Sequence, residues 1–177
     1  MPQSLPTMRA SSRVIPWLAA TVLWLVAPAC FAKELHWYSL PESWKVQDWA
    51  LQTSLYTKHW HPSPEHNNDQ NLIGVEVGFE RNWVIGGALF DNSFGQPSEL
   101  IYMGRYWYLF GSSHWYGKVT GGLLHGYKEP YENKIPFNGA GIAPVIIPSI
   151  GFRYHWLVVE GAFGGVSTFT VTAGVHF

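Results

Sequence analysis

The last ten residues constrain this chain more than any other stretch. Phe169, Val171, Ala173, Val175 and Phe177 alternate with Thr168, Thr170, Thr172, Gly174 and His176. A period of two belongs to a β-strand, whose successive side chains point to opposite faces. Apolar residues on one face and small polar ones on the other suit a strand with lipid outside and a polar interior. After Ala32 no run of 18 apolar residues occurs, so a membrane protein built from spanning helices is excluded.

Composition supports a membrane barrel. At 177 residues there is room for one domain, and charged residues make up only 13% against 16% aromatics. Ten Trp, nine Tyr and ten Phe exceed what one small core can hold, and a bilayer interface accommodates them. Lys plus Arg number 11 and Asp plus Glu 12, so there is no basic field for nucleic acid. Arg9 and Arg13 precede an apolar run from Val14 to Ala29, with small residues up to Ala32. That order predicts a signal peptide over residues 1–32. Its removal takes away Cys30 and excludes a disulfide framework.

Residues 33–48, with Trp37, Tyr38, Leu40, Trp44 and Val46 among charges, read either as a short amphipathic helix on the periplasmic side or as a plain linker. Residues 49–177 read as an all-β, eight-stranded antiparallel transmembrane barrel. The strands fall at about 49–60, 71–80, 83–92, 99–109, 115–126, 141–154, 156–163 and 167–177. Tight turns are expected at Glu80–Asn82, Gly111–Ser113 and His155, with longer connections at 61–70, 93–98 and 127–140. The three long connections share one rim. Eight strands enclose space for side chains or one slender ligand, so a pore is not expected.

Two polar clusters fall at strand ends on that rim. One holds His59, His61 and His66, followed by Asn67 and Asn68. The other is Asp91-Asn92-Ser93, bracketed by Phe90 and Phe94. An imidazole and a hydroxyl brought together there suit acyl transfer. The same residues also read as solvated rim loops. His59-x-His61 with His66 or Asp69 also reads as a metal site, but no further metal spacing recurs. If extension persists to residue 93, Asn92 and Ser93 face opposite sides and serve one site only where the strand ends or bulges. Ser93 lacks a Gly-x-Ser-x-Gly setting, so it is not assumed to be a nucleophile.

Several segments carry a resemblance to one family. Gly121-Gly122-Leu123-Leu124, Lys134-Ile135-Pro136 and Ala143-Pro144-Val145-Ile146-Ile147-Pro148-Ser149-Ile150-Gly151 follow an order similar to that of the lipid A palmitoyltransferase (PagP) family. Phe90-Asp91-Asn92-Ser93-Phe94 resembles its Phe-x-Asp-Ser-Trp segment, and Thr57-Lys58-His59 its Thr-Trp-His. The resemblance implies an outer-membrane enzyme that moves a palmitoyl chain from a phospholipid to lipid A through an apolar barrel interior. It further implies that His59 and Ser93 match the family's essential histidine and serine, with His61 as the alternative histidine. Gly104 would sit at the floor of the acyl tunnel, and Pro144 and Pro148 would open the wall between strands. Asn92 stands where the family has an aspartate, with Asp91 one residue earlier; an amide cannot accept a proton as a carboxylate can. A monomer without cofactor or metal is expected, with a phospholipid donor, a lipid A acceptor and no nucleic-acid partner. The competing expectation is a non-catalytic small barrel that binds lipid or stabilises the envelope.

Overall fold

A computed structural model describes residues 44–177. The expected signal peptide, and the expected amphipathic segment as far as residue 43, lie outside the described residues. Eight strands follow one another: β1 (Val46–His59), β2 (Ile73–Phe79), β3 (Trp83–Asp91), β4 (Pro97–Tyr108), β5 (Trp115–His125), β6 (Ile142–Tyr154), β7 (Leu157–Gly164) and β8 (Thr168–His176). Each pairs antiparallel with its neighbours, and β8 pairs with β1 to close the barrel. Trp49 and Phe177 complete the seam by exchanging backbone hydrogen bonds of 2.8 and 2.9 Å. Closure gives every strand a neighbour on both sides, the condition for placing strands in hydrocarbon.

The alternation read in the last strand holds in three dimensions. Thr168, Thr170 and Thr172 are buried, with Thr172 donating to Gln52 Oε1 at 2.7 Å, while Val175 is exposed. The outer surface carries Leu51, Leu55, Ile73, Ile101, Ile146 and Ile150, all exposed, with Trp60, Trp107 and Trp115 among them. An apolar exterior over a polar interior is the lipid-facing arrangement.

Strand ends differ modestly from expectation. β1 begins at Val46, so residues 46–48, expected in the amphipathic segment, open the barrel instead: Val46 pairs with Phe79 and Asp48 with Gly78. β4 begins at Pro97, which can open a strand because no ladder donor is needed there. The turn over Glu80–Asn82 is as tight as read, with Arg81 and Asn82 both at positive φ, and the two-residue turn after β6 places His155 at φ 52°.

The middle of the interior is charged. Lys118 Nζ lies 2.7 Å from Glu76 Oε2 and 2.8 Å from Glu160 Oε2. Tyr102 and Tyr116 donate their hydroxyls to Glu76 and Glu160. Arg153 bridges Asp48 at 2.9 Å and Glu76 at 3.6 Å, over the faces of Tyr106 and Tyr116. The interior is therefore not the apolar tunnel implied by the resemblance. Gly104 lies on this inner face between Tyr102 and Tyr106. A Cβ there would collide with the Val119 carbonyl oxygen and with Thr120, so this glycine lets β4 and β5 approach closely. Towards the loop rim the inner face becomes apolar across four strands, where Ala88, Leu100, Leu124 and Ala143 pair in sequence.

Candidate functional site at the loop rim

His59 reaches this rim through a bulge. Inward positions on β1 run Ala50, Gln52 and Ser54, which alone would point residue 59 outward. The pairing of β1 with β8 shifts between Ser54 and Tyr56, and the extra residue turns Thr57 and His59 inward. His59 is then only 6% exposed.

The β1–β2 ladder ends at the pair Thr53–Ile73, so Leu55 to His59 pair with β8 alone or not at all. A cleft of about 420 Å³ lies against this stretch, lined by Leu55, Tyr56, Lys58, His59, His66 and Asn68 among others. On the opposite side, the β6–β7 ladder stops at Ser149–Ala162. Ile142 to Pro148 thus have β5 partners and no β7 partner, and both Pro144 and Pro148 fall in that stretch.

The His59 ring is held on two sides. Its Nδ1 lies 2.8 Å from Asn68 Oδ1, and its face lies on the His66 ring, centroids 4.4 Å apart. With a carbonyl oxygen facing Nδ1, that nitrogen carries the proton and Nε2 the lone pair. Nε2 is buried and has no hydrogen-bond partner among the described residues. His66 stacks edge-on with Phe94 at 5.5 Å, and Phe94 lies flat on Tyr131 at 4.1 Å. Burial, and then the neighbouring His59, hold the His66 imidazole below its ordinary value of 6.5.

The second polar cluster meets the first. β3 ends at Asp91, which removes the parity conflict between Asn92 and Ser93. The Ser93 carbonyl accepts from Asn67 N at 2.8 Å, tying the β3–β4 turn to the β1–β2 loop beside Asn68. Asn92 is fully buried as the organiser of its turn: Oδ1 accepts from Phe94 N at 2.9 Å and Gln96 N at 3.2 Å, while Nδ2 points to Gly126 O and Gln96 Oε1. All four contacts are to backbone or amide groups, so an amide suits this position. Asp91 faces Asn71 Nδ2 at 3.0 Å. Ser93 is half-buried at the turn. The strand ends at His59, so His61 does not share its inward face and is exposed on the rim. Among the described residues no group of three His, Cys, Asp or Glu is arranged to hold a metal ion.

The sequence alone assigns no role to Asn68, the partner of His59, and does not single out the five charges of the belt, Asp48, Glu76, Lys118, Arg153 and Glu160. The charges left a signal: Glu76, Lys118 and Glu160 each occupy the polar phase of an alternating strand.

A closed eight-stranded antiparallel barrel with an apolar exterior, tight turns at one rim and longer loops at the other is an outer-membrane barrel. No protein-family model and no curated protein matches the chain. It is similar to the solved structure of Ail, the attachment invasion locus protein of Yersinia pestis, in complex with the heparin analogue sucrose octasulfate, at 13% identity over 75% of this chain and 97% of that one, with a TM-score of 0.36. A second Ail structure gives 12% identity over 77% and 100%, with a TM-score of 0.28. At these scores neither likeness bears on function.

Proposed function

We propose that this barrel is a cofactor-free lipid acyltransferase, taking a palmitoyl chain from a phospholipid and passing it to lipid A at the loop rim. The observation that carries the reading is His59: a buried imidazole with its lone-pair nitrogen unpartnered, beside a cleft where the barrel wall is unpaired. In the reaction, Nε2 takes the proton of the acceptor hydroxyl as its oxygen bonds to the acyl carbonyl carbon. The ester bond to the donor glycerol oxygen then breaks, and the same proton passes to that leaving oxygen. Ser93 is suited to hydrogen-bond the developing oxyanion. The unpaired stretches beside β1 and at Pro144 and Pro148 give lipid a lateral approach, and the apolar row from Ala88 to Ala143 suits an acyl chain.

A second reading is a non-catalytic barrel that binds envelope lipid. The charged belt around Lys118 favours it, because that belt confines any inserted chain to the loop-side part of the interior. Transfer of labelled palmitate from phospholipid to lipid A by the purified, folded barrel separates the two. The enzyme reading expects transfer that His59→Ala and Ser93→Ala abolish and His61→Ala leaves largely intact. A folded wild-type barrel with no transfer supports the binder, and full activity in both His59→Ala and His61→Ala removes the histidine from the mechanism.

A further inference from the structure

We propose that Asn68 is the positioning residue of this site, accepting the Nδ1 proton of His59 and so fixing Nε2 as the base. The inference rests on the acyl-transfer reading for its kinetic consequences, but its structural content stands apart from it. A free imidazole divides its proton between two nitrogens, and only the form with Nε2 unprotonated can take a proton there. The 2.8 Å contact from Nδ1 to Asn68 Oδ1 selects that form.

Asn68 is itself held in place from both sides. Asn67 Oδ1 accepts from Asp69 N at 2.9 Å while its Nδ2 donates to Asp69 O at 2.9 Å, an arrangement that bridges across residue 68. The Asn67 backbone N donates to Ser93 O, so the loop presenting Asn68 is fixed to the turn presenting Ser93. His66 covers one face of the His59 ring and prevents it from tilting away from Nδ1–H···Oδ1 alignment. Lys58 on β1, Glu65 and Asp69 in the β1–β2 loop and Lys134 in the β5–β6 loop are the charged groups around this pair. Among the described residues none of the four makes a hydrogen bond or ion pair with the His59 ring, so the uncharged amide is the group that orients it.

The test is nitrogen NMR of the histidine rings in the ¹⁵N-labelled barrel folded in detergent, with His59 assigned by its loss in His59→Gln. The expected spectrum shows His59 as the Nδ1–H tautomer. Asn68→Leu, an exposed position whose change leaves the fold intact, gives a mixture of tautomers. It also lowers kcat by about ten-fold or more at unchanged KM, part of the roughly 10²–10⁴-fold that a general base supplies. Asn68→Asp keeps the tautomer and most of the rate. Its carboxylate favours the protonated ring, so the acid limb of the rate profile moves to higher pH. An Nε2–H tautomer in the wild type, or an unchanged tautomer and rate in Asn68→Leu, overturns the proposal. The Nδ1–H tautomer in a barrel that transfers no palmitate leaves Asn68 as the orienting group and removes the acyl-transfer reading.

Discussion

Burial, and then the His59 ring 4.4 Å away, hold the His66 imidazole below its ordinary 6.5. The unfolded chain therefore takes up that proton first as the pH falls. Stability from this residue is complete above about 6.5 and is lost as the pH drops through the lower folded value. Hydrogen exchange of the amides at 60–72, corrected for its intrinsic pH dependence, is expected to show easier opening below about pH 6.5. His66→Phe, which keeps the stack and removes the proton site, should flatten that dependence; an opening energy independent of pH in the wild type contradicts the assignment. Which histidine turns inward is only partly legible in the sequence. His59 was nominated by its Thr57-Lys58-His59 context, but its inward direction depends on a bulge at Leu55 and Tyr56 that no residue type in the stretch announces. Asn68 was seen only as one of two loop asparagines, because its role exists only once β1 has turned His59 towards it.

Among the elements, the alternating strands were the readable part. β8 shows why: every second residue is a threonine, glycine or histidine, and only one register buries that set. The facing of β6 was harder to read, since Ile142 to Pro148 is apolar on both faces and gives no parity; its inward set follows from pairing with Thr120 and Gly122 on β5. Strand ends moved where pairing reached beyond the apolar pattern, as at Val46 opposite Phe79 and at Pro97 opposite Asp91. Where ladders stop early was legible at one of the two gaps only. The gaps beside β1 and β6 arise because β2 and β7 are short, with seven and eight residues against fourteen and thirteen in their neighbours. Such a mismatch is a property of pairs of strands, so no single stretch records it. Pro144 and Pro148 pointed to one gap through their missing donors, and nothing comparable pointed to the other.

For the whole molecule, the charged belt ties five strands together through Asp48 on β1, Glu76 on β2, Lys118 on β5, Arg153 on β6 and Glu160 on β7. Removing one partner leaves buried charge uncompensated, which costs about 3–5 kcal/mol. Lys118→Met is therefore expected to lower the unfolding free energy of the barrel in lipid vesicles by about that amount, with denaturant titration as the readout. Replacing Glu76 and Glu160 by Gln in the same chain should restore part of the loss, since no orphaned carboxylate remains beside the methionine. A loss below about 1 kcal/mol in Lys118→Met would mean that the belt is solvated instead of closed.

The belt also fills the middle of the barrel interior. It confines the proposed chemistry to the loop rim, where His59 meets Asn68 and the Asn67 N to Ser93 O bond holds the β3–β4 turn beside them. Mass spectrometry of lipid A from cells carrying the wild-type barrel, the His59→Ala barrel or neither tests that account most directly. An added C16 acyl chain that appears only with the wild-type protein is the predicted result. Lipid A of identical mass in all three, with both barrels inserted and folded in the outer membrane, would contradict it.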